Sequence, residues 1–226
     1  MSTFLALVQQ FYKYEVGFSG AAPTTVVNQQ NQRGKAVYFI AEADYQIQTR
    51  WLDWDFMWEQ WSRATEVGTA TYSAPTDLRT FDKESFWLDY TTDSAQNLDY
   101  LPYKVWRRHF GDGSKTNALP DQYTVKPDGT VLLESPPDAI YTLTADYWKK
   151  AVKMTADTDT SNIPVDFERI ILARAKMMYA EHFKDPEMLR TSAPEYGSML
   201  KKLESSELPE RNDRESQSIG DPIMVI

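Results

Sequence analysis

The chain has 226 residues, of which 42% are apolar and 25% are charged, so we expect one domain of generous size with a sizeable core rather than a disordered chain. The absence of cysteine excludes disulfides, thiolate nucleophiles and cysteine zinc sites, and the two histidines do not favour His-based zinc or Ser-His centres. The net charge of −9 argues against tight nucleic-acid binding, and no apolar run reaches the ~18 residues of a membrane helix. The opening MSTFLALVQQ lacks signal-peptide features, so export is not indicated.

The N-terminal part of the chain has helical periodicity. Apolar residues recur at helical spacing over Thr3–Val16, and Gly17 and Gly20 follow as a stop signal. After a linker over residues 21–31 rich in Pro, Thr, Asn and Gln, a second helix is predicted from about Gln32 to Leu52.

The middle of the chain has the character of a β region. Short runs rich in Thr, Val, Tyr and Trp are separated by turn signals, and they predict strands over 58–65, 69–73, 85–90, 123–126, 130–134 and 140–149. A short helix is predicted over Tyr103–Phe110, while Pro75 and Asp77 indicate a loop in TYSAPTDLRTFDK.

The C-terminal third returns to helical patterning. One helix is predicted with Asn162 as its cap and Pro164 at its first position, and it ends near Asp185. The next helix is predicted over Glu187–Ser205, with a kink at Pro194. From about residue 207 the chain is polar until an apolar tip, which is typical of an arm that becomes ordered against a partner.

Together these elements predict the α+β class. We expect a single domain over 1–226, in which helices from 1–53 and 163–206 form a bundle. A β-rich insertion occupies about 54–150, and residues 207–226 form an extended C-terminal arm.

Four of the seven tryptophans lie in RWLDWDFMWEQWS, residues 50–62. Their spacing of three, four and three residues would align them on a helix and suggest a stacking platform. The flanking residues favour another interpretation, in which Trp51 closes a helix and Trp54, Phe56 and Trp58 alternate along a strand, with a bulge near Gln60. We therefore predict a structural aromatic seam of Trp51, Trp54, Phe56 and Trp58 between the helical and β parts rather than a ligand platform.

Two stretches resemble ligand-binding loops. GDGSKT (111–116) has Ser114 and His109 where a phosphate-binding loop needs glycine, so a turn is favoured. DTDTSNIPVDFE (157–168) has acids at three calcium-loop positions, but Asn162 replaces the required glycine, and an acidic loop before a helix explains the same residues.

No catalytic, cofactor-binding or metal site is predicted. His109 and His182 have no nucleophile beside them, and a solvated helix face is favoured for the basic spot at His109. The 33 acidic residues form many pairs by chance, and none is singled out as an acid–base couple.

The order of several segments resembles a known family. They are EVGFSG, PTTVVNQQNQRGKAVYFIAEADYQIQ, DWDFMW, GTATYSAPTDLRTFDKESFWLD, PDGTVLLESPPDAIYTLTADYWKKAVKMTADTDTSNIP, FERIILARAKMMYAEHFKDPEM and EYGSMLKKLE. Over roughly residues 3–208 the chain resembles the head-to-tail adaptor (connector) proteins of tailed bacteriophages, the group related to the tail tubular adaptor of short-tailed phages.

The resemblance implies a virion structural protein without enzymatic activity or cofactors. Such adaptors form a homo-oligomeric ring, commonly a dodecamer, between the portal protein and a downstream tail or nozzle protein. The ring leaves a channel for transient passage of double-stranded DNA and has no membrane partner. We expect assembly in the bacterial host cytoplasm and a place at the head–tail junction of the virion.

The resemblance also implies that the C-terminal arm reaches the portal. The residues predicted for portal contact are Arg211, Arg214, Ile223, Met224 and Val225.

Two alternative functions are kept. One is a cell-wall (peptidoglycan) hydrolase or dual-purpose connector, in which the tryptophans would line a glycan cleft beside Glu59. The other is a tail completion or terminator protein, which differs in partner and ring number.

Overall fold

The computed structural model describes residues 1–91, 94–111 and 115–208, and for residues 90 and 91 it describes the backbone alone. Within these ranges the chain forms five α-helices and two β-sheets, which confirms the α+β class. The chain divides into two compact units, one of Met1–Met57 with the described chain from Ala151 onward, and one of Trp58–Lys150. The predicted bundle, single adaptor domain and C-terminal arm stay predictions.

Four of the helices belong to the first unit. They are α1 (Phe4–Gln10), which continues into a π-helical turn (Phe11–Glu15), α2 (Asn31–Arg50), α4 (Arg169–Phe183) and α5 (Pro186–Glu207). Helix α3 (Tyr103–His109) lies in the second unit. The Thr3 hydroxyl caps α1 by accepting a hydrogen bond from the Ala6 amide at 3.3 Å.

The core of the first unit follows from helical periodicity. On α2 the buried apolar positions recur at three- and four-residue intervals, namely Ala36, Phe39, Ile40, Ala43 and Ile47. Tyr179 on α4 makes edge contacts with rings on three other segments, at centroid distances of 6.4 Å to Phe11, 5.5 Å to Phe18 and 5.9 Å to Phe39. These contacts hold α2 and α4 to the N-terminal segment.

The start of α4 differs from the prediction. This helix begins at Arg169, after a 3-10 turn over Val165–Phe167 that has Pro164 at its N-cap position. Asn162 is not the cap, because the N-cap position of α4 is Glu168, and the Asn162 side-chain amide donates to Gln48 Oε1 at 3.1 Å. The prediction of Asn162 as the cap and Pro164 as the first helical residue was therefore wrong. The Asn162 side chain is instead hydrogen-bonded to Gln48 on α2.

The second unit contains all nine strands of the described chain. In order they are β1 (Trp58–Ala64), β2 (Thr71–Tyr72), β3 (Leu78–Phe81), β4 (Trp87–Thr91), β5 (Ser94–Asn97), β6 (Asp99–Tyr100), β7 (Gln122–Val125), β8 (Val131–Leu133) and β9 (Thr142–Lys149). A five-stranded sheet has the order β1-β9-β4-β5, with β3 also paired to β9, and a four-stranded sheet has the order β2-β8-β7-β6. Every pair is antiparallel except β6 with β7.

Side chains from both sheets meet in one core. From the five-stranded sheet, Leu88, Leu143, Ala145 and Tyr147 are buried in it, and Tyr123, Val131 and Leu133 enter it from the other sheet. Phe86 stacks on Tyr123 with their ring centroids 3.9 Å apart. The Tyr123 hydroxyl donates to the Lys83 carbonyl oxygen at 2.6 Å, so the buried phenol keeps a partner.

Three local predictions in this region were wrong. The segment predicted as a loop around Pro75 and Asp77 contains β3, because tertiary pairing with β9 overrides the turn residues. Residues 55–57 form a 3-10 turn rather than a strand, closed by the Met57 amide donating to the Trp54 carbonyl at 2.9 Å. Strand β1 has no bulge near Gln60, since its register with β9 runs without a break from Trp58 opposite Trp148 to Ala64 opposite Thr142.

Candidate assembly surfaces

The five residues predicted for portal contact lie outside the described residues. They are Arg211, Arg214, Ile223, Met224 and Val225, so their role stays a prediction.

Trp54 belongs to the core of the first unit, and the half-buried Phe56 packs on it. Trp54 has an exposed fraction of 0%, and its indole N–H donates to the Ile47 carbonyl oxygen at 3.0 Å. Phe56 stacks on Trp54 with ring centroids 5.1 Å apart. Trp54 is therefore sealed against a sugar or a base, which supports the structural interpretation of this aromatic.

Trp51 fixes the end of α2. Its indole N–H donates to Glu204 on α5 at 2.8 Å, and the neighbouring Arg50 pairs with the same carboxylate oxygen at 3.0 Å. Trp51 is 38% exposed, so its ring is only partly covered. The seam across the helical and β parts stays a prediction.

Trp58 lies at the start of β1, the most exposed strand of the β unit. Trp58 is 48% exposed, and all other residues of β1 are exposed except Trp61. Trp61 is half-buried, with its ring 5.7 Å from Phe81 and 6.5 Å from Phe86. Among the described strands β1 pairs only with β9, so one side of β1 forms a free edge of the five-stranded sheet.

A basic cleft lies beside β3 and the β7–β8 turn. It encloses about 310 Å³, and the charged side chains that line it are Arg79, Lys83, Lys126, Lys150 and Asp128. Four cations around one cleft contrast with the net charge of −9 of the whole chain. Such an arrangement can pair with a carboxylate or a phosphate group. Sequence reasoning missed it, because its residues come from segments far apart in the chain.

Exposed apolar side chains also occur on the first unit. Tyr14 beyond α1 is 78% exposed and Tyr38 on α2 is 59% exposed, and Val152 and Val165 are exposed as well. The Lys35 ammonium lies over the ring of Phe183 at the end of α4, 4.4 Å from the ring centroid, in a cation–π contact.

Asp44 on α2 is a fully buried acid. The Ser161 hydroxyl donates to Asp44 Oδ1, and Gln48 Nε2 donates to Oδ2 at 2.6 Å. Burial raises the pKa of Asp44 to about 6, and the two hydrogen bonds oppose that rise. The side chain ties α2 to the loop before α4.

The resemblance of residues 157–168 to a calcium loop has no support in the geometry. Asp157 accepts from the Val26 amide and the Thr25 hydroxyl, and Asp159 accepts from the Thr155 and Ala156 amides. The carboxylates of Asp157 and Asp159 therefore accept hydrogen bonds from groups of the protein itself. Within the described residues no cluster of acids and histidines could hold a metal ion.

GDGSKT is only partly described, since residues 112–114 lie outside the described residues. Lys115 has its ammonium 4.2 Å from the Phe110 ring centroid and 4.9 Å from that of Trp106, and it donates to the Glu134 carbonyl. Burial lowers the pKa of Lys115. This lysine packs on aromatic rings rather than pointing into a phosphate cradle.

The remaining candidates for chemistry are ordinary structural groups. His182 packs edge-on against Phe39 and Phe183 at centroid distances of 5.8 and 4.7 Å. Glu59, the acid considered for a hydrolase, forms an ion pair with Lys149 at 3.1 Å on the exposed strand β1. None of the helices in the described ranges is long and apolar enough to cross a membrane.

Comparison with known families identifies the family of this chain. The model of the SU10 adaptor protein family matches residues 18–222. The chain belongs to this family. The match confirms the resemblance to phage head-to-tail adaptors, and it makes the adaptor a structural component of a virion. No curated protein sequence matches the adaptor at a significant level.

Proposed function

We propose that the adaptor forms a ring, of twelve copies as the resemblance implies, which joins the portal vertex of the capsid to the tail and leaves a channel for double-stranded DNA. The observation that carries this proposal is the family match over residues 18–222, which spans both compact units. The ring would lie at the head–tail junction and would be assembled in the host cytoplasm.

The same proposal assigns no catalytic step to the adaptor. Trp54 is buried and cannot line a glycan cleft, and Glu59 forms an exposed ion pair with Lys149. Purified protein on a peptidoglycan gel is expected to leave the substrate intact, and a clear lytic band would favour the hydrolase.

The C-terminal arm is the proposed portal-contact segment. Residues 207–226 combine a polar stretch containing Arg211 and Arg214 with the apolar tip Ile223, Met224 and Val225. A polar segment that ends in apolar residues is of the kind that can become ordered on a partner surface, where the apolar side chains would be covered.

Electron microscopy of the adaptor mixed with its portal protein tests the function. We expect rings seated on the portal, and a chain that stays monomeric and ignores the portal would overturn the proposal. A variant that ends at Leu208 keeps every residue described at the C-terminal side, so it should fold like the full chain and fail to bind the portal. A matched full-length variant with Ile223, Met224 and Val225 changed to Ser separates the apolar tip from the rest of the arm.

A further inference from the structure

Strand β1 presents a long and regular free edge. It pairs with β9 over all seven of its residues without a register shift, and its other side has no strand partner in the described part of the chain. In an antiparallel strand, alternate residues direct their backbone N–H and C=O groups away from the existing neighbour. The free side of β1 therefore carries a row of hydrogen-bonding groups that a further strand could satisfy.

This edge carries two charged residues but lacks the other usual devices that prevent strand addition. Residues 58–64 contain neither proline nor lysine, and β1 has no bulge. The two charged residues, Glu59 and Arg63, lie on the same face as the half-buried Trp61, since side chains alternate along a strand. The opposite face, with Trp58, Gln60, Ser62 and Ala64, carries no charge.

At the other end of the same sheet, the edge strand β5 is also open within the described chain and has no charged residue of its own. Strand β5 reads Ser-Ala-Gln-Asn and, within the described chain, pairs only with β4. Asn97 and Ala95 lie opposite Trp87 and Asp89 of β4. The registers of β4 with β9 and of β9 with β1 place Ala95 and Asn97 on the same face as Gln60 and Ser62.

Strand direction makes these two edges complementary. Each neighbouring pair along β1-β9-β4-β5 is antiparallel, so β1 and β5 run in opposite directions. When such a sheet is repeated edge to edge, β5 of one copy is antiparallel to β1 of the next copy. A head-to-tail contact between unlike surfaces forms a ring when the rotation between successive copies closes, and an open filament when it does not.

We propose that the free edge of β1 binds the β5 edge of a second copy of this chain and so extends the five-stranded sheet from subunit to subunit. This inference rests on the proposed ring and names the surface through which neighbouring copies join. The occupant is a second copy because the two edge strands run in opposite directions and their residues on the shared face carry no charge.

Cysteine cross-linking tests the contact directly, because the natural chain contains no cysteine. The informative double variants combine Gln60→Cys or Ser62→Cys on β1 with Ala95→Cys or Asn97→Cys on β5. All four positions are exposed, and the four combinations sample registers that differ by two residues. The matched controls are the four single variants and Ser62→Cys with Ser205→Cys, which moves the second thiol to an exposed position on α5.

Under oxidation of the assembled protein, at least one β1–β5 double variant is expected to form a ladder of covalent oligomers. Its cross-linked fraction should exceed that of every control by about tenfold or more, because pairing fixes the two thiols at a high effective concentration. Circular dichroism verifies that each variant is folded, and sedimentation measures assembly independently of cross-linking.

The outcomes separate this inference from the function on which it rests. Rings that form in solution while no β1–β5 combination cross-links above the controls would overturn the edge contact and leave the adaptor function standing. Efficient cross-linking of the Ser62→Cys single variant to itself would show a like-with-like contact and would also overturn the proposal. A chain that neither self-associates nor joins the portal would overturn both.

Discussion

Asp44 is an acid whose burial in the folded state disfavours its charged form. Its carboxylate is fully buried, and the two side chains that donate hydrogen bonds to it, Ser161 and Gln48, are neutral. The Gln48 side chain in turn accepts from Asn162 at 3.1 Å. The network satisfies the hydrogen bonds of the acid, but neutral donors compensate only part of the charge desolvation, and the pKa rises to about 6 from an ordinary 3.8.

Asp44→Asn is expected to flatten the pH dependence of stability between about pH 4 and pH 7. A raised pKa in the folded state means that the folded protein binds more protons than the unfolded chain in this window, so the wild-type free energy of unfolding falls as pH rises through 6. The wild type should lose up to about 2–3 kcal/mol across the window. The neutral amide avoids this loss if the Gln48 and Asn162 amides rotate to exchange donor and acceptor. Urea unfolding at pH 4.5 and pH 7.5 measures the difference.

Glu42→Gln on the same helix is the matched control. Hydrogen bonding to Lys153 lowers the pKa of Glu42, so its contribution to stability is present above its unfolded pKa and is lost as pH falls. The two variants should therefore change the pH profile in opposite directions. A loss of folding in Asp44→Asn at pH 7.5 would show instead that the charged form is required.

Trp54 and Trp51 are three residues apart, and their burial differs. Trp54→Ala removes a fully buried side chain and its hydrogen bond to Ile47, so the free energy of unfolding should fall by about 3–5 kcal/mol. Trp51→Ala removes a partly exposed ring and its bond to Glu204, with an expected loss of about 1 kcal/mol. Chemical denaturation of both variants tests the assignment of Trp54 to the core. Equal losses in the free energy of unfolding would contradict it.

The junction of α4 and α5 is determined by three successive residues. Lys184 has φ of 55°, Asp185 caps α5 by accepting from the Met188 amide at 3.0 Å, and Pro186 occupies the first helical turn. The Asp185 amide donates to the Ala180 carbonyl at 2.9 Å and closes the end of α4. Left-handed backbone at the end of a helix favours glycine, so Lys184 is strained where it stands.

Lys184→Gly is therefore expected to stabilise the protein by about 0.5–1 kcal/mol, because relief of the left-handed strain exceeds the added freedom of the unfolded chain. Lys201→Gly is the control inside α5, where the same change should destabilise by about 1 kcal/mol. Thermal unfolding of the two variants gives the comparison. A destabilised Lys184→Gly variant would mean that the lysine side chain makes a larger contribution than its backbone conformation costs.

At the scale of the whole molecule, the net charge bears on whether the adaptor binds DNA or, as proposed, lets it pass. The net charge of −9 repels a polyanion, while the basic cleft concentrates Arg79, Lys83, Lys126 and Lys150 at one place. For a channel, transient passage requires that the duplex is not retained.

Purified adaptor should leave the mobility of a short DNA duplex unchanged at about 0.15 M salt, where charges beyond roughly 8 Å are screened. Electrophoretic mobility measured over a range of salt concentrations tests this expectation. Retention that disappears in a Lys126→Glu, Lys150→Glu double variant would contradict it and would place the duplex at the cleft.

The sequence by itself determined the class of the fold, most helices and strands, and the family. Helical periodicity located α2 and α5, and alternating β-rich runs located β9, because the side chains that form a core recur at the period of the element that carries them. The absence of cysteine and the acidic charge are also readable from composition alone.

Only the tertiary structure decided which residues meet. Strand β3 pairs with β9. Asn162 donates to Gln48 instead of capping α4. Trp54 is fully buried, with its indole N–H bonded to the Ile47 carbonyl. The basic cleft and the free edge of β1 have no local signal, since each depends on chain segments that are distant in sequence. Periodicity reports the face that a residue occupies within its own element, and the partner on that face is determined by packing.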